Sequence, residues 1–296
     1  MTSLRIGVTL PQWNEVAGPT AWTEIAQAAE SMGFDFVSKG DHIVFVDDEQ
    51  GWGVDTPTYD QFLALAFAAG ATDDLGVLTN INVVPYRHPI LLTKLALTLD
   101  ALSDGNFTLG VGVGWYEAEF DALDVPIGGR GRRADEFLEI LTRAYEDPVV
   151  SLDGPYHQFE DVGFYPRPTH PDGPPVLVGG SASASFRRAA QYGDGWILPS
   201  DPDGIRDGRQ RLETAWDDFD RESDPVIGAE AHLRIDSSTN ADRTLAGSTD
   251  EVIDGVQAYL DAGTTLMVLS IIDPTDAHDV IEQLEHFAQD VRPSFE

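Results

Sequence analysis

Cysteine is absent from the 296 residues of this sequence. Its absence excludes disulfide bonds, thiolate catalysis, and any zinc or iron–sulfur centre that cysteine would ligate. Also missing is a run of about 18 apolar residues, the length that a membrane-spanning helix needs. No basic and then apolar leader follows Met1. We therefore expect a cytoplasmic protein with no membrane partner.

Positive charge is scarce as well, because 18 basic residues face 51 acidic ones and leave a formal net charge of -33 at pH 7. Such a chain repels nucleic acid, so no nucleic-acid partner is expected. At roughly 1 M salt the Debye length is about 3 Å, which screens the self-repulsion of the surplus acids. We interpret the composition as an adaptation to molar salt, with an ordinary acidic protein as the alternative.

Apolar segments with the character of buried strands alternate with helical patterns along the chain. The eight predicted strands are residues 4–10, 34–38, 75–84, 107–113, 176–178, 195–198, 230–235 and 266–272. This alternation predicts an α/β fold, a single (β/α)8 TIM barrel over residues 1–296, with the active site at the carboxyl ends of the strands. An open doubly wound sheet is the alternative. Residues 148–175 contain seven prolines and predict an inserted hairpin and irregular excursion.

Alternate glycines, Gly110, Gly112 and Gly114, end the fourth predicted strand and are followed by Trp115. They leave one face of the strand without side chains. Either a flat or phosphorylated ligand approaches the backbone there, or the barrel interior packs around it. A dinucleotide-binding fingerprint fits less well, because Trp115 occupies the place of the third glycine.

Asp41 and His42 follow the second predicted strand, where a barrel places its catalytic groups. His42 is the candidate catalytic acid or base, because histidine has an ordinary pKa of about 6.5. The alternative is that His42 is a loop residue that is solvated or caps a helix. We expect Asp41 to orient this loop. Arg87 and His88 either reach an anionic ligand or pair with nearby acids. The spacing of His42, His88 and His157 does not support a metal site, so no metal is predicted.

A turn of Gly179, Gly180 and Ser181 lies between the fifth strand and a helix. Its free N–H groups and the helix dipole would face an anion such as a phosphate. The alternative is a tight turn in which Ser181 caps the helix. Four tryptophans are candidates for the wall of a flat ligand, although buried aromatic residues are usually core. They are Trp13, Trp52, Trp115 and Trp196.

Five segments occur in the order expected for one family: PYRHP at 85–89, TLDALSDGNFTLGVGVGW at 98–115, EF at 119–120, RGRRADEFLEIL at 130–141, and PPVLVGGSASASFRRAAQYGDGW at 174–196. With them the chain resembles the bacterial luciferase-like superfamily, and most closely its F420-dependent oxidoreductases. The resemblance implies hydride transfer between the deazaflavin cofactor F420 and a small-molecule substrate. The alternatives are an FMN-dependent luciferase-like monooxygenase and a barrel that binds a flavin or deazaflavin without catalysis.

The resemblance also implies roles for particular residues. His42 would lie near the deazaflavin ring, with Asp41 beside it, and the turn at 179–181 would hold the cofactor phosphate. Gly112, Val113 and Gly114 would meet an edge of the cofactor. Relatives that oxidise sugar phosphates carry Glu directly after their G-x-G; here that residue is Trp115, so sugar-phosphate oxidation is not implied.

Polar residues at 79–82 interrupt a strand that should be buried on both faces. The resemblance implies a non-proline cis peptide between Asn80 and Ile81, with both residues against the cofactor. A plain trans strand with inward-facing amides is the alternative. A homodimer is also expected, from the resemblance and because the helices predicted at 58–71 and 89–102 have broader apolar faces than one core requires.

Overall fold

The structure, a computed structural model, describes residues 4–12, 16–47, 53–237 and 244–295. The strands in these residues are β1 (Arg5–Thr9), β2 (Phe36–Lys39), β3 (Gly76–Thr79), β4 (Asn82–Val83), β5 (Phe107–Gly112), β6 (Val149–Asp153), β7 (Gln158–Gly163), β8 (Val176–Gly179), β9 (Gly195–Pro199), β10 (Val226–Ile235), β11 (Thr244–Gly247) and β12 (Leu266–Ile271). The helices are α1 (Pro19–Ser31), α2 (Gln61–Ala69), α3 (Pro89–Leu102), α4 (Glu117–Ala122), α5 (Arg130–Glu146), α6 (Ser183–Tyr192), α7 (Pro202–Asp218), α8 (Thr249–Ala262) and α9 (Ala277–His286). None of the helices in these residues is long and apolar enough to span a membrane.

Eight parallel strands close into a barrel. In order around the barrel they are β1, β2, β3, β5, β8, β9, β10 and β12, and β12 pairs with β1 to complete the ring. The predicted (β/α)8 barrel is therefore confirmed, and the open doubly wound sheet is wrong. Strand β11 is an additional strand that pairs with the carboxyl end of β10, residues His232 to Ile235, beyond the part of β10 that pairs with β9.

The barrel strands are apolar because each has two buried faces. A small cluster contributed by five strands fills the interior: Phe36, Leu78, Leu177, Ile197, Leu266 and Val268. A much larger cluster, which includes Val37, Val77 and Leu109, packs the outer face of the strands against the helices. Burial on both faces produces the continuous apolar runs by which the strands are recognised in the sequence.

The excursion at 148–175 is confirmed as well. Strands β6 and β7 pair with each other antiparallel and form a sheet separate from the barrel. The hairpin contacts helix α5, where Arg143 donates a hydrogen bond to the Ser151 carbonyl at 2.8 Å. It therefore projects from the barrel on the side of α5, between β5 and β8 in the chain.

The third barrel strand is interrupted as the resemblance implied. Strand β3 stops at Thr79, β4 resumes at Asn82, and the peptide bond between Asn80 and Ile81 is cis. A Cβ built on Gly112 or on Gly179 would collide with Cδ1 of Ile81. The packing alternative thus explains Gly112, because its missing side chain makes room for Ile81 inside the barrel.

Candidate functional site

A cavity of about 460 Å³ opens at the carboxyl ends of the barrel strands. This volume lies within the range of about 300–1,000 Å³ that is typical of small-molecule sites. All ten residues predicted for the site line it: Asp41, His42, Asn80, Ile81, Gly112, Val113, Gly114, Gly179, Gly180 and Ser181. The structure therefore brings together residues that are spread over 141 positions of the chain, from 41 to 181.

The tryptophan hypothesis is correct for one residue and wrong for another. Trp115 lines the cavity and is 60% exposed. Trp196 is fully buried against Phe186, and its Nε1 donates to the Gly180 carbonyl at 2.8 Å, so it belongs to the core beneath the site. Trp13 and Trp52 lie outside the described residues.

His42 is held by a carboxylate that the sequence did not single out. Glu119, in α4, is fully buried, and its Oε2 lies 3.2 Å from His42 Nδ1. The same carboxylate accepts the Tyr86 hydroxyl at 2.8 Å and the N–H groups of Ile43 and Val44. An ionised carboxylate only accepts hydrogen bonds, so Nδ1 of His42 must carry a proton. In the neutral ring, the lone pair is then on Nε2.

The pKa values of this cluster follow from its burial. Burial alone would raise the pKa of Glu119, but hydrogen bonds from His42, Ile43 and Tyr86 outweigh it and hold that pKa below the ordinary value. The pKa of Tyr86 is raised by burial and by the neighbouring charge of Glu119. Glu119 is therefore an ion and Tyr86 a neutral donor, which is the arrangement that fixes the His42 ring.

Asp41, which precedes His42 in the loop after β2, fixes this loop through other partners. Its carboxylate accepts two hydrogen bonds from Arg87, at 2.6 and 2.9 Å, one from Asn82 Nδ2 at 2.9 Å and one from the Val83 N–H at 2.9 Å. Arg87 also binds Asp60 at 3.0 Å, so it pairs with acids rather than facing the cavity. Burial would lower the pKa of Arg87, but the hydrogen bonds to Asp41 raise it. Asp41 thus orients the loop, as expected.

The turn before α6 is open to an anion. The N-cap residue of α6 is Ala182, no side chain caps the helix, and the alternative of Ser181 as the cap is wrong. Gly180 has φ of 111°, a conformation that favours glycine, and residues 179–182 all line the cavity. The Ser185 N–H donates to the Ala182 carbonyl at 2.8 Å, and no side chain occupies the other first-turn N–H groups, which can therefore serve an anionic ligand.

Four further residues line the cavity and were not predicted from the sequence: Gln12, Tyr86, Tyr116 and Glu230. The Asn80 side-chain amide donates to Glu230 Oε2 at 3.1 Å, so the interrupted strand and β10 meet across the barrel mouth. Gln12 could have been found from its place just after a strand; Tyr86 and Glu230 carry no comparable signal. Among the lining residues that the structure describes there is no lysine or arginine. An anionic group in this cavity would therefore be bound without a lysine or arginine, by backbone N–H groups and hydroxyl donors such as Ser181.

Residues 4–264 match the family described as luciferase-like monooxygenase. The chain belongs to this family. Among its luciferase-like relatives, the F420-dependent hydroxymycolic acid dehydrogenase of Mycobacterium tuberculosis is 30% identical over 176 residues, which cover 58% of this chain and 47% of that one. The 4-hydroxyprotoasukamycin monooxygenase of Streptomyces nodosus subsp. asukaensis is 24% identical over 338 aligned residues, covering 95% of this chain and 88% of that one.

Two solved structures share the fold of this chain. The coenzyme F420-dependent tetrahydromethanopterin reductase of Methanopyrus kandleri superposes with a TM-score of 0.82 at 19% identity, covering 99% of this chain and 100% of that one. The oxygenating constituent of 3,6-diketocamphane monooxygenase of Pseudomonas putida, in complex with FMN, superposes with a TM-score of 0.81 at 15% identity and covers 99% of both chains. The same barrel therefore occurs in proteins of both cofactor types.

Proposed function

We propose that this luciferase-like protein is an F420-dependent oxidoreductase that transfers a hydride between the deazaflavin and a small organic substrate. The observation that carries the proposal is the convergence of the ten predicted site residues on one cavity at the barrel mouth. The relative that acts as an F420-dependent dehydrogenase and the structural likeness to an F420-dependent reductase support it.

The cavity has N–H donors suited to the phosphate of such a cofactor and an apolar surface suited to its ring. The turn of Gly179, Gly180 and Ser181 would hold the phosphate through N–H groups, since α6 has no side-chain cap. Ile81, between Gly112 and Gly179, would form an apolar floor for the ring. When bound, the cofactor supplies or accepts the hydride, and the protein supplies binding, orientation and shielding from water.

We expect His42 to accept or donate the proton that accompanies the hydride. With Nδ1 held by Glu119, Nε2 would accept the proton of a substrate hydroxyl during oxidation and return it to a carbonyl in reduction. The carboxylate of Glu119 would stabilise the imidazolium that forms. A positioned acid or base of this kind typically contributes about 10²–10⁴ in rate.

The cavity wall favours an uncharged substrate. Val83, Val113, Trp115 and Tyr116 give it apolar and aromatic surface, and the described lining residues include no lysine or arginine to pair with a carboxylate or phosphate of the substrate. We therefore propose a small alcohol or ketone as the substrate class.

An FMN-dependent monooxygenase is the second candidate, supported by the family match, by the monooxygenase relative and by the likeness to the FMN-bound diketocamphane enzyme. A barrel that binds cofactor without turnover is the third.

The test is to incubate the protein with each cofactor and a panel of secondary alcohols, with and without oxygen. Reduction of F420 without oxygen consumption is expected. Oxygen consumption that requires reduced FMN would favour the second candidate, and inactivity with every combination would favour the third.

We further propose a cytoplasmic homodimer adapted to high salt. The apolar faces of α2 and α3 support the dimer, because Leu63, Phe67, Leu91 and Leu102 are large apolar residues that are exposed in the single chain. The net charge of -33 supports the adaptation to salt.

A further inference from the structure

A second cleft, of about 240 Å³, lies on the outside of the barrel. It is bounded by the residues between β4 and α3, by helix α5, and by the hairpin of β6 and β7. Its apolar surface includes Val84, Val125 and Phe137. Tyr86 belongs to the wall of both this cleft and the main cavity, so the two sites lie back to back.

Two histidines form part of the polar rim of the cleft. Nδ1 of His88 accepts the Ile90 N–H at 3.3 Å, so in the neutral ring Nε2 carries the proton and is a donor. His157 lies against it with ring centroids 4.9 Å apart and the planes at 81°. Nδ1 of His157 lies 2.5 Å from the buried carboxylate of Glu136, which fixes the position of this ring.

Arg133 also lies in the rim, and its positive charge has no acidic partner among the described residues. Its guanidinium donates to the carbonyls of Pro126 and Gly128 and lies over the Tyr156 ring, 5.4 Å from the centroid. No carboxylate of the described residues forms an ion pair with it, in a chain with 51 acidic residues. Arg87, which also borders the cleft, is by contrast neutralised by Asp41 and Asp60.

We propose that this cleft binds a small organic carboxylate. The apolar body of the ligand packs against Val125 and Phe137, and its carboxylate lies between the Arg133 guanidinium and the Nε2–H of His88. A guanidinium suits this ligand because its charge strengthens the hydrogen bonds that Nη1 and Nε, which no described carbonyl occupies, can donate to a carboxylate. The cleft, of about 240 Å³, has room for a ligand the size of benzoate. The overall negative charge does not prevent binding in molar salt, since a Debye length of about 3 Å leaves only adjacent charges effective.

Benzoate is the probe, titrated calorimetrically into the full-length protein in molar KCl. We expect saturable binding at one site, and weaker binding of uncharged benzamide by about tenfold or more. Val125→Trp, at a half-exposed position of the wall, fills the cleft and should abolish benzoate binding. Arg133→Gln keeps a polar side chain but removes the charge, and should weaken benzoate binding by about tenfold or more.

Arg132→Gln is the matched control, because Arg132 is the neighbouring residue of the same helix, is exposed, and does not line the cleft. It should leave benzoate binding unchanged. The proposal is overturned if the wild-type protein gives no saturable binding, if benzamide binds as tightly as benzoate, or if Val125→Trp binds benzoate normally. The last two results do not depend on Arg133→Gln being folded, and none of the measurements depends on the redox activity of the main cavity.

Discussion

Replacing Glu119 with glutamine tests how the site controls its histidine. Glutamine has the shape of glutamate, so its carbonyl oxygen can keep the two N–H donors of Ile43 and Val44. Its NH₂ group then faces the Tyr86 hydroxyl and His42 Nδ1, where the carboxylate accepted hydrogen bonds. Nδ1 must become the acceptor, and the proton of the neutral ring moves to Nε2.

The expected loss of activity follows from this change of tautomer. A ring that carries its proton on Nε2 cannot accept the proton of a substrate hydroxyl there, and the charge that stabilised the imidazolium is gone. Removing a positioned base costs about 10²–10⁴ in rate, and the corresponding Asp→Asn change in the Ser-His-Asp triad costs about 10⁴. We expect turnover of the best alcohol from the panel to fall by about 10²–10⁴, with cofactor affinity changed by no more than a few-fold.

Stability should fall as well. All four hydrogen bonds to this fully buried carboxylate lose their charge assistance, namely those from His42, Tyr86 and the N–H groups of Ile43 and Val44. At a difference of about 1 kcal/mol each, the free energy of unfolding falls by up to about 4 kcal/mol at pH 7. Because the pKa of Glu119 is lowered in the folded protein, this contribution is complete above the ordinary glutamate pKa of about 4.3 and is lost as the pH falls through the lowered value. The advantage of the wild type over the variant should therefore shrink below that pH.

Three measurements check this prediction: steady-state turnover, urea unfolding at several pH values, and the ¹⁵N shifts of the His42 ring, which report its tautomer. Glu136→Gln is the matched control, because Glu136 is a buried carboxylate bonded to His157 Nδ1 outside the main cavity. It should lower stability and leave turnover unchanged. Full activity of Glu119→Gln, or an unchanged His42 tautomer, would refute the assignment of Glu119.

The remaining predictions concern the base, the phosphate turn, assembly and salt. His42→Ala should lower turnover by about 10²–10⁴ while cofactor affinity stays within a few-fold; equal turnover would remove His42 from the mechanism. Gly180→Asp should expel the cofactor in a binding titration, because its Cβ would crowd Ser185 and its charge would face the phosphate, whereas Gly128→Asp, in open space, should not. Leu63→Asp should convert a dimer into a monomer in light scattering; a monomeric wild type would contradict the dimer. The melting temperature should rise from dilute buffer to molar KCl, and no rise would count against adaptation to salt.

The positions of the barrel strands could be predicted because strands buried on both faces leave continuous apolar runs. Helix α7 was not predicted because few of its residues are apolar. Ile205, Leu212 and Trp216 are buried against the core, and the residues between them are largely polar or charged. The interrupted strand at 79–82 could be located from its polar residues. That Gly112 and Gly179 make room for Ile81 could not be read from the sequence, because it depends on three strands meeting inside the barrel.

The site was predictable to the extent that strand ends converge in a barrel. The ten predicted residues meet because they follow strands whose carboxyl ends share one edge. Glu119 was missed as a partner of His42 because 77 positions separate the two residues and only the folded chain brings them together. Trp196 was misplaced because an aromatic residue in a strand can face the ligand or the helices, and spacing does not distinguish these.

The central claim is that this luciferase-like protein uses F420. The most direct test is a fluorescence titration of the purified apoprotein with F420 and, separately, with FMN, in molar KCl. The account predicts saturable F420 binding in the micromolar range and no FMN binding over the same range. FMN binding without F420 binding would contradict it and assign the protein to the monooxygenase alternative.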